Sequence, residues 1–189
     1  ADTVGITRHC SKHNYLVRDV DTLSHVMHEA FYVATNGRPG PVVIDVPKDV
    51  QIFKSANIHS GSIKHRSYRP EVKGELPQIK EAIRLLAGAK KPIFYTGGGV
   101  INSGPAASQL LRELVRLTGA PITSTLMGLG AYPASDRQFL GMLGMHGTYE
   151  ANNAMHDCDV MICVGARFDD RVTGRLDAFS PKSKKIHID

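Results

Sequence analysis

An α/β fold, with a parallel sheet flanked by helices on both faces, is what this 189-residue sequence predicts. Three observations carry the prediction. Four short runs are apolar at consecutive rather than alternate positions. Segments of helical period separate them. Glycine-rich or charged turns follow the runs directly.

The elements are justified in chain order. "DTLSHVMHEAFYVATNG" places Leu23, Val26, Met27, Ala30, Phe31 and Ala34 on one helical face, with Asp21 as its cap and Gly37 as its stop. "PVVIDVP" is a short β-branched strand ended by Pro47. Residues 48–74 show weak periodicity and read as a linker. A helix over about 75–88 sets Ile79, Ala82, Ile83 and Leu86 inward, and the strand "PIFYT" leads into Gly97, Gly98 and Gly99. Ser103, Gly104 and Pro105 start a helix with Leu110, Leu111, Leu114 and Val115 inward, closed by Gly119. The strand "APITS", the glycine-rich "TLMGLGAYP", a helix near 147–157, and the strands "DVMICVG" and "KKIHI" complete the pattern. One helix and one strand in residues 1–50 are too little for a core of their own. That stretch reads as an incomplete preceding α/β domain, and both ends of the chain are expected to lie inside a longer protein.

Composition narrows the function classes. The chain is 42% hydrophobic and 22% charged, ordinary for a globular protein. No apolar run approaches the roughly 18 residues of a membrane span, and the polar opening "ADTVG" is no signal peptide, so no membrane role is expected. The net charge of +5 comes from scattered Lys and Arg without interleaved aromatics, which argues against nucleic acid. Three cysteines, one of them inside an apolar run, fit a reduced intracellular protein.

In a parallel α/β sheet, ligands bind beyond the carboxyl ends of the strands. Four such ends are legible: Thr96–Val100, Ser124–Gly130, Gly165–Arg171 and Asp189. If they gather on one edge, they offer bare backbone, positive charge for a diphosphate and a carboxylate for ribose hydroxyls, which together make a dinucleotide site. "GGGVIN" alone is weak, since Asn102 stands where G-x-G-x-x-G needs its last glycine. In "GARFDDR", Arg167 and Arg171 would repel a divalent metal and would keep Asp169 and Asp170 ionised, poor for a proton donor. Cofactor contact is the favoured reading for Arg167 and Asp169, and a salt-bridged loop is the alternative. His9, Cys10 and His13 lack a fourth metal donor. Met145 and His146 follow a glycine and can line a cavity.

"GRPGPVVIDVPKDVQ", "YTGGGVINSG", "STLMGLGAYP", "LGMLGMHGTYEANNAMHDCDVMICVGARFDDRVTG" and "KKIHID", in this order, resemble the large catalytic subunit of the acetohydroxyacid synthases, or acetolactate synthases. The resemblance covers nearly the whole chain. It implies a Rossmann-like middle domain of a thiamine-diphosphate enzyme at 75–189, a linker at 51–74, and the end of a pyrimidine-binding domain at 1–50. It further implies FAD contacts at Arg38, Gly97, Gly98, Gly99, Thr125, Leu126, Leu143, Gly144, Met145, His146, Gly165, Ala166, Arg167, Phe168, Asp169 and Asp189. Lys48, Met145, Asp170 and Arg171 would line the substrate channel, with Asp170 orienting Arg171 toward a keto-acid carboxylate.

Thiamine diphosphate and Mg2+ would be held by segments outside this sequence, which has no G-D-G with an Asn-bearing metal loop. Glu29 and Glu150 do not match the family's activating glutamate. The implied reaction decarboxylates pyruvate and passes a hydroxyethyl unit to a second 2-keto acid, on the way to valine, leucine and isoleucine. FAD would be structural. The implied assembly is a cytoplasmic homodimer or tetramer with a small regulatory subunit, and these 189 residues alone are expected to be inactive. Another thiamine-diphosphate oxidase or carboligase, or a non-catalytic dinucleotide-binding module, is the alternative.

Overall fold

In the computed structural model, residues 1–58, 61–63 and 65–189 are described, and the chain divides into two compact units, Ala1–Gly74 and Glu75–Asp189. Residues 59, 60 and 64 of the expected linker lie outside the described residues.

The first unit holds more structure than its sequence pattern suggests. Helix α1 (Thr3–Thr7) precedes strand β1 (His13–Leu16), and α2 (Val20–Thr35) leads to β2 (Val42–Asp45), which pairs parallel with β1. The cap of α2 is Asp19, not Asp21: the Asp19 side chain accepts from the Asp21 amide. Ala30 and Val33 are the buried residues of α2, whereas Met27 and Phe31 are exposed, so the inward stripe is narrower than the apolar pattern and turned from it. Within residues 48–74, where the sequence shows weak periodicity, Pro47 opens a short helix, α3 (Lys48–Ile52), with Val50 buried.

The second unit is a five-stranded parallel sheet. Helix α4 (Leu76–Ala87) leads to β3 (Pro92–Thr96), α5 (Gly98–Asn102) and α6 (Pro105–Thr118) to β4 (Ile122–Ser124), and a 3-10 turn (Leu126–Gly128) to β5 (Phe139–Met142). Helix α7 (Tyr149–Asp157), β6 (Val160–Val164), α8 (Asp170–Thr173) and β7 (Lys184–Ile188) follow, and the strand order is β5-β4-β3-β6-β7. The chain thus builds outward from β3 on one side, then returns to place β6 against the other side of β3.

Alternate residues of each strand feed two separate cores. Ile122, Phe94, Ile162 and Ile186 form one cross-strand row, packed with Leu111 and Val115 of α6. On the opposite face Ile93, Tyr95, Met161 and Cys163 pack with Ala151 and Met155 of α7. Consecutive apolar residues in the strands are the direct result of this two-sided burial.

Helices on the first of these faces are rotated from the expected register. In α6, Ser108, Leu111 and Val115 are buried while Leu110 is 65% exposed and Leu114 37%. In α4 no residue is buried, and Ile79 and Ile83 are exposed. Periodicity identifies an apolar stripe, but the sheet chooses which of its edges to cover. Gly119 does end α6, at φ 68, where a side chain would be strained. Among the described residues no helix is long and apolar enough to cross a membrane.

The central strands are also clamped at their amino ends. The Asp159 carboxylate accepts from the Lys90 amide at 2.6 Å and the Lys91 amide at 2.9 Å, tying the start of β3 to that of β6. These amides, that of Lys90 foremost, hold the Asp159 carboxyl below its ordinary range. A depressed folded-state pKa stabilises the fold above the ordinary carboxylate range, and that contribution is lost as pH falls through the folded value. Asp159→Ala should therefore lower the Tm at neutral pH, and its deficit against the unaltered protein should shrink in acid. A deficit independent of pH in a thermal-melt series would contradict the clamp.

Candidate functional site

Because all five strands are parallel, their carboxyl ends share one rim, which gathers Gly97–Gly99, Thr125 and Leu126, Leu143–His146, Gly165–Asp169 and Asp189. The order of the strands reverses between β3 and β6, so Gly97–Gly99 and Gly165–Asp169 flank the point where such sheets accept ligands. Arg38, between α2 and β2, and Lys48, the first residue of α3, belong to the first unit.

The glycine turns pack first on each other. The Gly97 amide donates to Val164 O at 3.1 Å and the Gly99 amide to Gly165 O at 2.8 Å. A Cβ on Gly97 would lie 2.5 Å from both the Gly165 carbonyl oxygen and the Ala166 Cβ, and one on Gly99 would lie 2.6 Å from Gly165 Cα. Bare backbone at 97 and 99 is therefore used to close the gap between β3 and β6. A ligand would lie over this floor rather than between the strands. Thr96, beneath it at the end of β3, is fully buried, and its hydroxyl has no hydrogen-bond partner among the described residues. Such a group costs about 1–3 kcal/mol until a polar atom meets it.

The charged turn after β6 resolves into separate tasks. Asp169 caps α8: its side chain accepts from the Arg171 amide at 3.0 Å. It also pairs with Arg167 at 3.3 Å, so part of the salt-bridged alternative is present. The Arg171 amide first, then a hydrogen bond with the Asp170 side chain and the charges of Arg167 and Arg171, hold the Asp169 carboxyl below its ordinary range. It stays ionised and is unsuited to donating a proton near neutrality. The Arg167 side chain remains 64% exposed despite its partner.

The expected Asp170–Arg171 contact is not formed. Among the described residues the ion pairs are Arg84–Glu81, Arg167–Asp169 and Arg175–Asp177. Neighbours one apart on a helix do not face each other, and Asp170 and Arg171 are the first two residues of α8. Instead Arg171 acts through its backbone, whose carbonyl accepts from the Met145 amide at 2.9 Å. This bond joins the Leu143–His146 turn to α8 and brings Met145, Asp170 and Arg171 into one neighbourhood.

Asn152 is a feature that pattern reading missed. From α7 its side chain pairs with both ends of Gly144, accepting from the amide at 2.8 Å and donating to the carbonyl at 3.0 Å. An Asn on the first turns of a helix directly after a glycine loop is the signal available for it. Met145 and His146, just beyond, are exposed, as are Leu126 and Met127 on the 3-10 turn. Asp189 follows β7, where the Gly165 amide donates to Ile188 O at 2.7 Å. No group of three or more His, Cys, Asp or Glu among the described residues is placed to hold a metal ion.

The rim therefore presents exposed apolar side chains, the largely exposed Arg167 guanidinium paired with Asp169, and the Asp189 carboxylate after β7, above closely packed glycine backbone. Residues 79–189 match the family model "thiamine pyrophosphate enzyme, central domain". The chain is 48% identical over 190 residues to the acetolactate synthase large subunit of Haemophilus influenzae, covering 100% of this chain and 33% of that protein. It is 48% identical over 192 residues to the acetolactate synthase isozyme 3 large subunit of Escherichia coli, again covering 100% of this chain and 33% of the relative. With the chloroplastic acetolactate synthase of Arabidopsis thaliana it shares 46% over 188 residues, 98% of this chain and 28% of the relative. The chain thus spans about a third of the length of the curated relatives it matches. The match over residues 79–189, more than half of the chain, makes the chain a member of the thiamine pyrophosphate enzyme central-domain family.

Proposed function

We propose that this chain is the flavin-binding part of an acetolactate synthase large subunit, with residues 1–50 ending its pyrimidine-binding domain, 51–74 a linker and 75–189 its middle domain. The complete subunit would decarboxylate pyruvate and transfer the two-carbon hydroxyethyl unit to a second 2-keto acid. Thiamine diphosphate, with Mg2+, would supply the electron sink for that decarboxylation from segments other than these. The working assembly would be a cytoplasmic homodimer or tetramer with a small regulatory subunit.

One observation carries the flavin reading. Arg167 and the glycine turns stand together on the rim of a parallel sheet where the strand order reverses. The residues fit the group. The exposed Leu126 and Met145 offer an apolar bed for a flat ring system, Arg167 a counter-charge for the diphosphate, and Asp189 an acceptor for hydroxyls. Met145, Asp170 and Arg171 would border the keto-acid channel, with Arg171 receiving the carboxylate.

The test is a flavin absorbance titration. FAD should bind, and Arg167→Ala should raise Kd roughly tenfold to a hundredfold, since a charge-assisted contact is worth about 1.5–3 kcal/mol. An unaltered Kd in the variant would remove Arg167 from the site. Failure of the full-length protein to take up FAD would remove the flavin reading itself.

A further inference from the structure

We infer that Tyr95, Cys163 and His187 are positioning residues, a row beneath the rim that orients the Gly165–Asp169 turn toward an anionic ligand group. The inference rests on the flavin reading above. The three side chains are direct cross-strand neighbours: Tyr95 pairs in register with Cys163, and Cys163 with His187. Each is the penultimate residue of its strand, and each carries a polar tip.

All three tips end on two consecutive carbonyls of the turn. Cys163 Sγ donates to Ala166 O at 3.0 Å, and His187 Nε2 lies 2.8 Å from the same oxygen. A carbonyl only accepts, so Nε2 carries a proton. Tyr95 OH donates to Arg167 O at 3.0 Å, and the Asp169 amide donates to that oxygen at 3.2 Å. Each carbonyl thus receives two donors, which uses its acceptor capacity. Phe168 folds back over the same row, its ring centroid 5.2 Å from that of His187 and 6.0 Å from that of Tyr95.

Pinning the carbonyls fixes the amides. In a trans peptide the N–H points opposite to the C=O, and no cis bond is present among the described residues. With Ala166 O and Arg167 O drawn to the row, the amides of Arg167 and Phe168 face away from it. Among the described residues neither amide meets a backbone acceptor. Two successive outward amides beside an exposed guanidinium suit phosphate oxygens. The thiol is a donor here and not a nucleophile: burial pushes its pKa up to about 12.

The experiment uses the full-length protein with Tyr95→Phe, His187→Leu and the donor-retaining His187→Gln. Without ligand, trypsin cleavage after Arg167, read by mass spectrometry against cleavage at other basic residues, should rise about tenfold in Tyr95→Phe and His187→Leu but not in His187→Gln. The FAD Kd should rise about tenfold in the first two, and Tyr95→Phe should add little in an Arg167→Ala background. Equal losses in both backgrounds, or cleavage unchanged in every variant, would overturn the positioning role. Raised cleavage in a protein whose unaltered form binds no FAD would leave the row's role standing and overturn the flavin reading alone.

Discussion

Phe94→Ala is expected to destabilise the second unit by about 3–5 kcal/mol, the cost of emptying a large aromatic site in a packed core. Phe94 is 0% exposed at the middle of the central strand. It sits between Ile122 and Ile162 in register and under Leu111 and Val115, so no neighbour can relax into the void without leaving its own contacts. Urea unfolding followed by far-UV circular dichroism would measure the loss. Phe53→Ala serves as the control, because Phe53 is 66% exposed and a surface change of that kind should stay within about 0.5 kcal/mol. A loss below about 1 kcal/mol at Phe94 would mean that the row is not packed as described.

Gly97→Ala should cost about 1–3 kcal/mol for a single added methyl, the range for overpacking a filled site. The methyl would meet the Gly165 carbonyl and Ala166 at 2.5 Å, and both belong to a turn already pinned by Tyr95, Cys163 and His187. On the proposed reading flavin binding falls with it. Gly98→Ala should be milder, since its methyl would come no nearer than 3.2 Å to the Met127 Cβ and 3.3 Å to the Met127 carbonyl oxygen. Comparing the two variants by thermal melt and flavin titration isolates the close approach from any general aversion to alanine in the turn. Similar losses at 97 and 98 would contradict the floor of stacked turns.

The parts of the fold that were legible in the sequence are those decided by two-sided burial. "PIFYT", "APITS" and "DVMICVG" carry β3, β4 and β6, because a strand covered on both faces must be apolar at nearly every position, while "KKIHI" carries the edge strand β7, of which only Ile186 is partly buried. Strand β1, "HNYL", and strand β5, "FLGM", escaped. The first is half polar, and the second contains Gly141 and a register shift against β4. Helix faces were misjudged by a fraction of a turn in α2, α4 and α6, since the stripe says what is apolar and tertiary packing decides what is covered.

At the candidate site, strand ends predicted the shared rim, but two kinds of information were out of reach. Glycines at 97 and 99 announced a close approach without saying that the partner is another turn of the same chain. Cross-strand register, which aligns Tyr95, Cys163 and His187, exists only once β6 has been paired with β3, far back in the chain, and with β7. Arg38 was named by resemblance alone, and it lies in the other unit.

That separation also bears on how the molecule comes into being. Lys91 and Asp159, which fasten β3 to β6, are 68 positions apart, and Tyr95 and Arg167 are 72 apart. Pairings this distant close slowly, after the local β3-to-β4 crossover is already possible. A nascent chain that has emerged only to α7 holds β3 with one flank bare, its apolar edge open to any passing strand. The ligand-facing rim is thus the last part of the unit to mature. Conditions that stall synthesis or lower chaperone supply should show first as aggregation and, on the proposed reading, as loss of flavin uptake, before secondary structure is lost.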